Sequence, residues 1–318
     1  MAKSKKSSKK ASSSKTSKPV VKDEAVKTEK VVKTDDSEKV ERKVEKEAEK
    51  KVEKSGNKEK GFFGKLFERK FDPKENILTI FKNKKIYAAI LGEILGTAVI
   101  CMVLLTLGVY QPLYILFVLV GAMVAVYAFS GANLNPIITV GMMATRRMSA
   151  IRGVLYLLAQ LVGAWIGQLV ISAFLRGSGS EAEMPAIAEV ANGMFWHVTM
   201  LEFLGAIIVA FFFARALQYK RSVFTFAAVA ASGVMIAFVI VYLLSYNYFE
   251  LTNNFILNPA VALMQQILPT GAENFGELMG KVALALLTYV IFPVIGGAIG
   301  FYLSDCGSVL NEENIKQA

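Results

Sequence analysis

Ser130-Gly131-Ala132-Asn133-Leu134-Asn135-Pro136-Ile137-Ile138-Thr139-Val140 has a shorter counterpart far along the chain, Phe255-Ile256-Leu257-Asn258-Pro259-Ala260. Asn is among the best helix N-caps, and Pro suits the first helical position because it lacks an N–H and presets φ. Asn135-Pro136 and Asn258-Pro259 therefore predict two helix starts. The apolar residues that follow, 136–144 and 259–268, are too few to cross a hydrocarbon core of ~30 Å, which needs about 20 helical residues. Both pieces are read as re-entrant half-helices.

Outward from these stretches lie six apolar runs long enough to span: 86–108, 112–129, 151–175, 196–217, 223–244 and 281–303. With 54% hydrophobic residues in 318, the composition suits a chain whose solvent is the bilayer. The predicted class is an all-α integral membrane protein. Basic residues sort to one side: Lys82, Lys84 and Lys85 before the first run, Arg146, Arg147 and Arg152 after the first half-helix, Lys220 and Arg221 between the fourth and fifth runs. The opposite connections carry Arg176 among Glu181, Glu183, Glu189, Glu250, Glu273 and Glu277. Lys and Arg are held on the cytoplasmic side, so both termini are expected there, which requires an even number of spans. The net charge of +10 fits this bias and needs no nucleic acid as partner.

The two halves repeat. Glu93-Ile94-Leu95-Gly96-Thr97 matches Glu202-Phe203-Leu204-Gly205-Ala206, and Gln160-Leu161-Val162-Gly163-Ala164-Trp165-Ile166-Gly167 matches Pro293-Val294-Ile295-Gly296-Gly297-Ala298-Ile299-Gly300. Each half holds three spans, so the second enters the membrane from the other face. Such an inverted repeat brings discontinuous helices together near the midplane. If the two Asn-Pro starts face one another there, each presents roughly +0.5 of an elementary charge from its aligned peptides. A cation or proton is repelled at that point, and a neutral dipole is reoriented.

Glu93 and Glu202 fall deep in spans, where a charge costs ~2.5–3.5 kcal/mol on insertion scales. Their equivalent places predict that each braces the backbone of one re-entrant loop; a proton relay is the alternative. The glycines three or four apart, among them Gly96, Gly163, Gly167, Gly205, Gly296 and Gly300, predict close helix contact. His197, the only histidine, sits at a span edge, and Cys101 and Cys306 make no disulfide framework. No metal cluster, nucleophile with a base, or phosphate-cradling loop is recognisable, so no enzyme, cofactor or metal is expected.

Residues 1–60 mix Lys, Glu, Ser and Val without an aromatic residue, a composition that predicts a disordered cytoplasmic tail. Residues 61–85 open with Gly61-Phe62-Phe63-Gly64-Lys65-Leu66-Phe67 and predict a juxtamembrane interfacial segment. Residues 86–305 form the membrane domain, and 306–318 a cytoplasmic C-terminal tail.

The ordered set of motifs resembles the aquaporin and glyceroporin family, the major intrinsic proteins. The stretch from Ser130 to Val140 is similar to the family's first signature, Ser-Gly-Ala-His-x-Asn-Pro-Ala-Val-Thr, and Asn258-Pro259-Ala260 to its second. Glu93-x-x-Gly96-Thr97 resembles the family's first span, and Tyr156-x-x-Ala159-Gln160-x-x-Gly163-Ala164 its third. The resemblance implies six spans and two half-helices, a homotetramer with one pore per subunit, and passive passage of water or glycerol-like solutes. It makes Asn135, Pro136, Ile137, Asn258, Pro259 and Ala260 the pore motifs.

Departures concern selectivity. Asn133 stands where the family has His, Ile137 where it has Ala, and Val261 where it has an arginine that forms part of the outer constriction. By the family's spacing, the remaining constriction positions fall at Ile115, Tyr246 and Phe255; an extra residue within 245–254 makes Ser245 the alternative to Tyr246. A unit charge at about 4 Å is worth ~4 kcal/mol at an effective dielectric near 20, so Val261 lowers one barrier to cations. The apolar ring favours a glycerol-like or less polar solute over a specialised water pore. Two readings of other classes stand beside this one: an ion-coupled secondary transporter built on the inverted repeat, and a membrane scaffold whose pore is plugged by Ile137 and Phe255. The expected partners are small neutral solutes and membrane lipid.

Overall fold

A computed structural model describes residues 61–68, 75–107, 112–177, 194–219, 222–249, 255–264 and 274–317. The tail of residues 1–60 lies outside the described residues. Two short helices, Phe62–Leu66 (α1) and Ile77–Ile80 (α2), precede the first long one. Then follow Lys85–Leu107 (α3), Pro112–Ser130 (α4), the short Pro136–Ala144 (α5), and Ala150–Gly177 (α6). The second half repeats the order with Phe195–Ala216 (α7), Val223–Phe249 (α8), the short Pro259–Met264 (α9), Phe275–Leu286 (α10) and Phe292–Gln317 (α11). Among the described residues, six helical runs are long and apolar enough to cross a membrane.

Local chemistry explains the starts. Pro112, Pro136 and Pro259 each occupy a first helical position, where the missing N–H is no loss. Ser222 accepts the Thr225 N–H at 3.3 Å ahead of α8, and Asn274 accepts the Glu277 N–H at 2.9 Å ahead of α10. The sixth span is interrupted: five residues, Leu287–Ile291, form a π turn between α10 and α11. Pro293, two residues beyond Ile291, has no N–H to close an ordinary turn, so the ladder widens upstream of it.

One boundary differs from the sequence reading. The last helix does not end near residue 303 but continues to Gln317. Nothing in residues 304–317 breaks a helix, and Ser304, Asp305 and Val309 are buried. Asp305 accepts a two-pronged contact from the Arg147 guanidinium, one arm at 2.8 Å, while Arg147 lies over the Phe301 ring at 5.5 Å. Arg152 likewise bonds Glu75 through Nε at 3.0 Å. Two of the arginines read as a positive face are thus also structural ion pairs. The second half-helix is described only to Met264; the remainder of 259–268 lies outside the described residues.

Packing follows the repeat. α3 lies on α6 as α7 lies on α11, α3 on α4 as α7 on α8, and each half-helix packs on the third span of the other half, α5 on α11 and α9 on α6. The glycines make these approaches possible. A Cβ at Gly167 would sit 2.6 Å from the Ala98 carbonyl oxygen, and one at Gly296 would sit 2.7 Å from that of Phe203. Backbone oxygen cannot swing aside as a side chain does, so the helices would have to part, at roughly 1–3 kcal/mol. Gly296→Ala should therefore lower the thermal unfolding midpoint in detergent by several degrees. Gly280→Ala, where no atom lies within 4 Å, should not lower it; equal midpoints for the two variants would contradict this packing.

Candidate functional site: the paired half-helix loops

The backbone that enters each half-helix is bent in a way most residues avoid. Gly131, Ala132 and Leu134 have φ of 82°, 56° and 57°, and Leu257 has 50°. A left-handed residue other than glycine costs about 1–2 kcal/mol, and such strain persists only where the surroundings over-determine it. Here they do. The turn aims the Asn133 and Leu134 N–H groups at the Glu93 carboxyl, at 3.0 and 2.8 Å. Gln160 donates to the same carboxyl at 2.7 Å and to the Thr139 hydroxyl at 2.8 Å. In the second half, Glu202 accepts from the Ile256 N–H at 2.6 Å and from the Leu257 N–H at 3.2 Å. Both glutamates are buried, at 0% and 1% exposed.

The leucine in each loop has a second anchor. The Leu134 side chain fills the space where Gly96 would carry a Cβ, and Leu257 does the same at Gly205, where an added Cβ would meet Leu257 Cδ2 at 2.5 Å. The glutamate thus holds the loop backbone while the glycine one turn later receives the loop side chain. Sequence reasoning assigned these two glycines to helix contact; that role belongs to Gly163, Gly167, Gly296 and Gly300. The signal that could have separated them is the joint recurrence of Glu-x-x-Gly and Leu-Asn-Pro in both halves.

With each leucine so placed, its carbonyl faces the other loop. Asn135 Nδ2 donates to the Leu257 carbonyl at 2.8 Å, and Asn258 Nδ2 donates to the Leu134 carbonyl at 3.3 Å. The same side chains cap their own half-helices: Asn135 Oδ1 accepts from the Ile137 N–H at 2.9 Å, and Asn258 Oδ1 from the Ala260 N–H at 3.1 Å. Each asparagine therefore holds its own helix with oxygen and the opposite loop with nitrogen, and the two helix starts meet. Beside them lies a cavity of about 30 Å³ walled by α3, α4, α7, α8 and both loops, room for about two waters.

The remaining sequence candidates divide. Ile115 lines this cavity, and Phe255 is buried in the same apolar cluster. Val261 is fully buried, but in a separate cluster with Cys101, Leu105 and Ala164. Tyr246 points the other way: it is 55% exposed and stacked on Tyr242 at 5.8 Å, while Ser245 is fully buried. The helix α8 continues through this stretch, and one residue turns its side chain by about 100°. Ile137 packs against Gly297 on α11 rather than lining the cavity, and Pro136, Pro259 and Ala260 are buried at the helix starts.

Residues 80–303 match the major intrinsic protein family. The chain belongs to that family. It is 28% identical to the aquaporin-4 of Bos taurus over 246 residues, covering 69% of this chain and 73% of that protein. It is 25% identical to a glycerol uptake facilitator-like protein of Lactiplantibacillus plantarum over 198 residues, covering 60% and 81%. Among solved structures, the aquaglyceroporin of Plasmodium falciparum matches with a TM-score of 0.48 at 17% identity, over 70% of this chain and 94% of that one. This major intrinsic protein is thus a multi-pass membrane channel for water or other small solutes, and not an enzyme.

Proposed function

We propose that the channel passes small uncharged solutes, water or glycerol-like molecules, down their gradients and excludes ions at the paired Asn-Pro helix starts. The observation that carries this reading is the reciprocal bonding of Asn135 and Asn258 to each other's loops. An amide nitrogen has two hydrogens, and each asparagine uses one in that bond, which leaves one N–H per asparagine for a passing solute. A cation there meets two positive helix ends and no carboxylate: the Glu93 and Glu202 oxygens are turned to backbone N–H groups. Ile115 and Phe255 contribute the outer apolar constriction, with Ser245 in the place first given to Tyr246, and Val261 supplies no charge. Both termini lie on the cytoplasmic side in this reading, supported by the lysine and arginine distribution, and the working form is a homotetramer. The plugged-scaffold alternative loses support because Ile137 packs on α11.

Stopped-flow light scattering of proteoliposomes under water, glycerol and urea gradients tests the proposal. Flux should exceed that of empty vesicles and rise linearly with the gradient. Asn258→Asp removes the amide donor to the Leu134 carbonyl and places a carboxylate at the meeting point, so solute flux should fall at least about tenfold, one hydrogen bond's worth, while cation leak rises. Flux indistinguishable from empty vesicles would favour a scaffold, and saturable uptake driven by an ion gradient would favour a transporter.

A further inference from the structure

The elbow between α2 and α3 is held in shape from within. Asn76 and Thr79 exchange bonds at the start of α2: the Asn76 N–H donates to the Thr79 hydroxyl at 2.9 Å, and the Thr79 N–H to the Asn76 side chain at 3.0 Å. Asn83 accepts the Lys85 N–H at 3.1 Å ahead of α3. Ile80 and Ile86 are buried in one cluster with Met148 and Tyr156, which pins the elbow to the body of the fold. Its outward side has another character. Phe81 and Tyr87 are exposed with ring centroids 6.4 Å apart, and the Tyr87 hydroxyl donates to the Phe81 carbonyl at 3.4 Å. Lys82, Lys84 and Lys85, also exposed, stand between them in sequence, and among the described residues no carboxylate pairs with any of the three.

The repeat fixes the depth of this elbow. Tyr87, Leu91 and Leu95 form an exposed stripe along α3, and Trp196, Met200 and Leu204 form the equivalent exposed stripe along α7. The two helices enter from opposite faces, so each aromatic residue heads an apolar stripe at its own membrane interface, the level where Tyr and Trp concentrate. Beyond the aromatic residue the two halves part. Lys84 and Lys85 correspond to Gly193 and Met194, so fixed positive charge is added at one face only.

We infer that the elbow of residues 81–87 is a docking site for an anionic phospholipid. Lys82, Lys84 and Lys85 hold its phosphate, the Phe81 and Tyr87 rings take the glycerol level, and an acyl chain follows the stripe past Leu91. Hydrocarbon, aromatic ring and ammonium group succeed one another along the chain in the order in which a bilayer presents acyl chain, interface and headgroup. A basic residue near an anionic surface favours contact on the order of fivefold, so three together favour it about a hundredfold at low salt and less where salt screens them. None of these residues lines the cavity beside the asparagines, so the site stands or falls apart from conduction.

A ligand that binds only the folded state raises the unfolding midpoint. Full-length protein in a neutral detergent would be titrated with phosphatidylglycerol or phosphatidylcholine while its thermal unfolding is followed. Phosphatidylglycerol should raise the midpoint saturably, and phosphatidylcholine should not. The triple variant Lys82→Gln, Lys84→Gln, Lys85→Gln should unfold near the wild-type midpoint without lipid, yet need at least about tenfold more phosphatidylglycerol for half of the effect. Removing three tail lysines instead, as Lys3→Gln, Lys5→Gln and Lys6→Gln, should leave the titration where it was. Equal stabilisation by both lipids, or a titration that the elbow variant does not move, would overturn the inference. So would loss of oligomeric mass in the elbow variant at every lipid level, which would assign the elbow to a second copy of this chain.

Discussion

Glu93→Ala should leave little folded channel to purify. The alanine strands the Asn133 and Leu134 N–H groups and one of the two Gln160 amide N–H groups in the protein interior. Leaving a buried donor without a partner costs about 1–3 kcal/mol, so three together approach the whole stability of an ordinary domain, about 5–15 kcal/mol. The two glutamates should differ under a gentler change. Glu93 uses both oxygens for different donors, so a glutamine there must set an NH₂ group against another donor. Glu202 Oε1 takes both the Ile256 and Leu257 N–H groups, and Oε2 only duplicates the second at 3.2 Å. Glu202→Gln can keep both bonds with its single oxygen. Size-exclusion profiles after graded heating should rank wild type close to Glu202→Gln, then Glu93→Gln, then Glu93→Ala. Glu202→Gln proving as damaging as Glu93→Gln would contradict the bonding pattern.

The second large effect concerns the wedge of each loop. Gly205→Ala drives a methyl into Leu257, which is 2% exposed and has Glu202 holding its backbone, with Val241 Cγ2 only 3.2 Å from the new Cβ. The loop has to shift, and Asn258 is the next residue. Solute flux per folded protein should fall at least about tenfold, as expected when positioning across the pore is lost by roughly one hydrogen bond. Leu257→Ala removes the atoms that are struck, so combining it with Gly205→Ala should restore part of the flux. Contacting residues couple by about 0.5–3 kcal/mol in such cycles. Strictly additive losses in the double variant would show that the glycine does not serve the loop.

Much of this architecture was legible because it is written in neighbouring residues. An apolar run of span length, an Asn-Pro start, and a glutamate in the middle of a span each declare themselves locally. The hydrophobic requirement of a bilayer leaves few alternatives to a helix. The inverted repeat added the one long-range statement available without coordinates, that the two starts are equivalent. Helical phase was less secure where spacing had to be counted across 245–254: a one-residue difference decides whether Ser245 or Tyr246 turns inward, and the exposed tyrosine shows which way it fell.

By itself, then, the sequence determined the six spans, the two half-helix starts, their equivalence, and the need of Glu93 and Glu202 for buried donors. Only the tertiary structure decided that Asn135 bonds the Leu257 carbonyl 122 positions away, that Arg147 bonds Asp305 158 positions away, and that α11 runs on to Gln317. It also decided that Leu134 and Leu257 are wedges. The division has a physical cause: hydrophobicity and capping act over a few consecutive residues, whereas a hydrogen bond or a void filled by a side chain exists only once distant segments have packed.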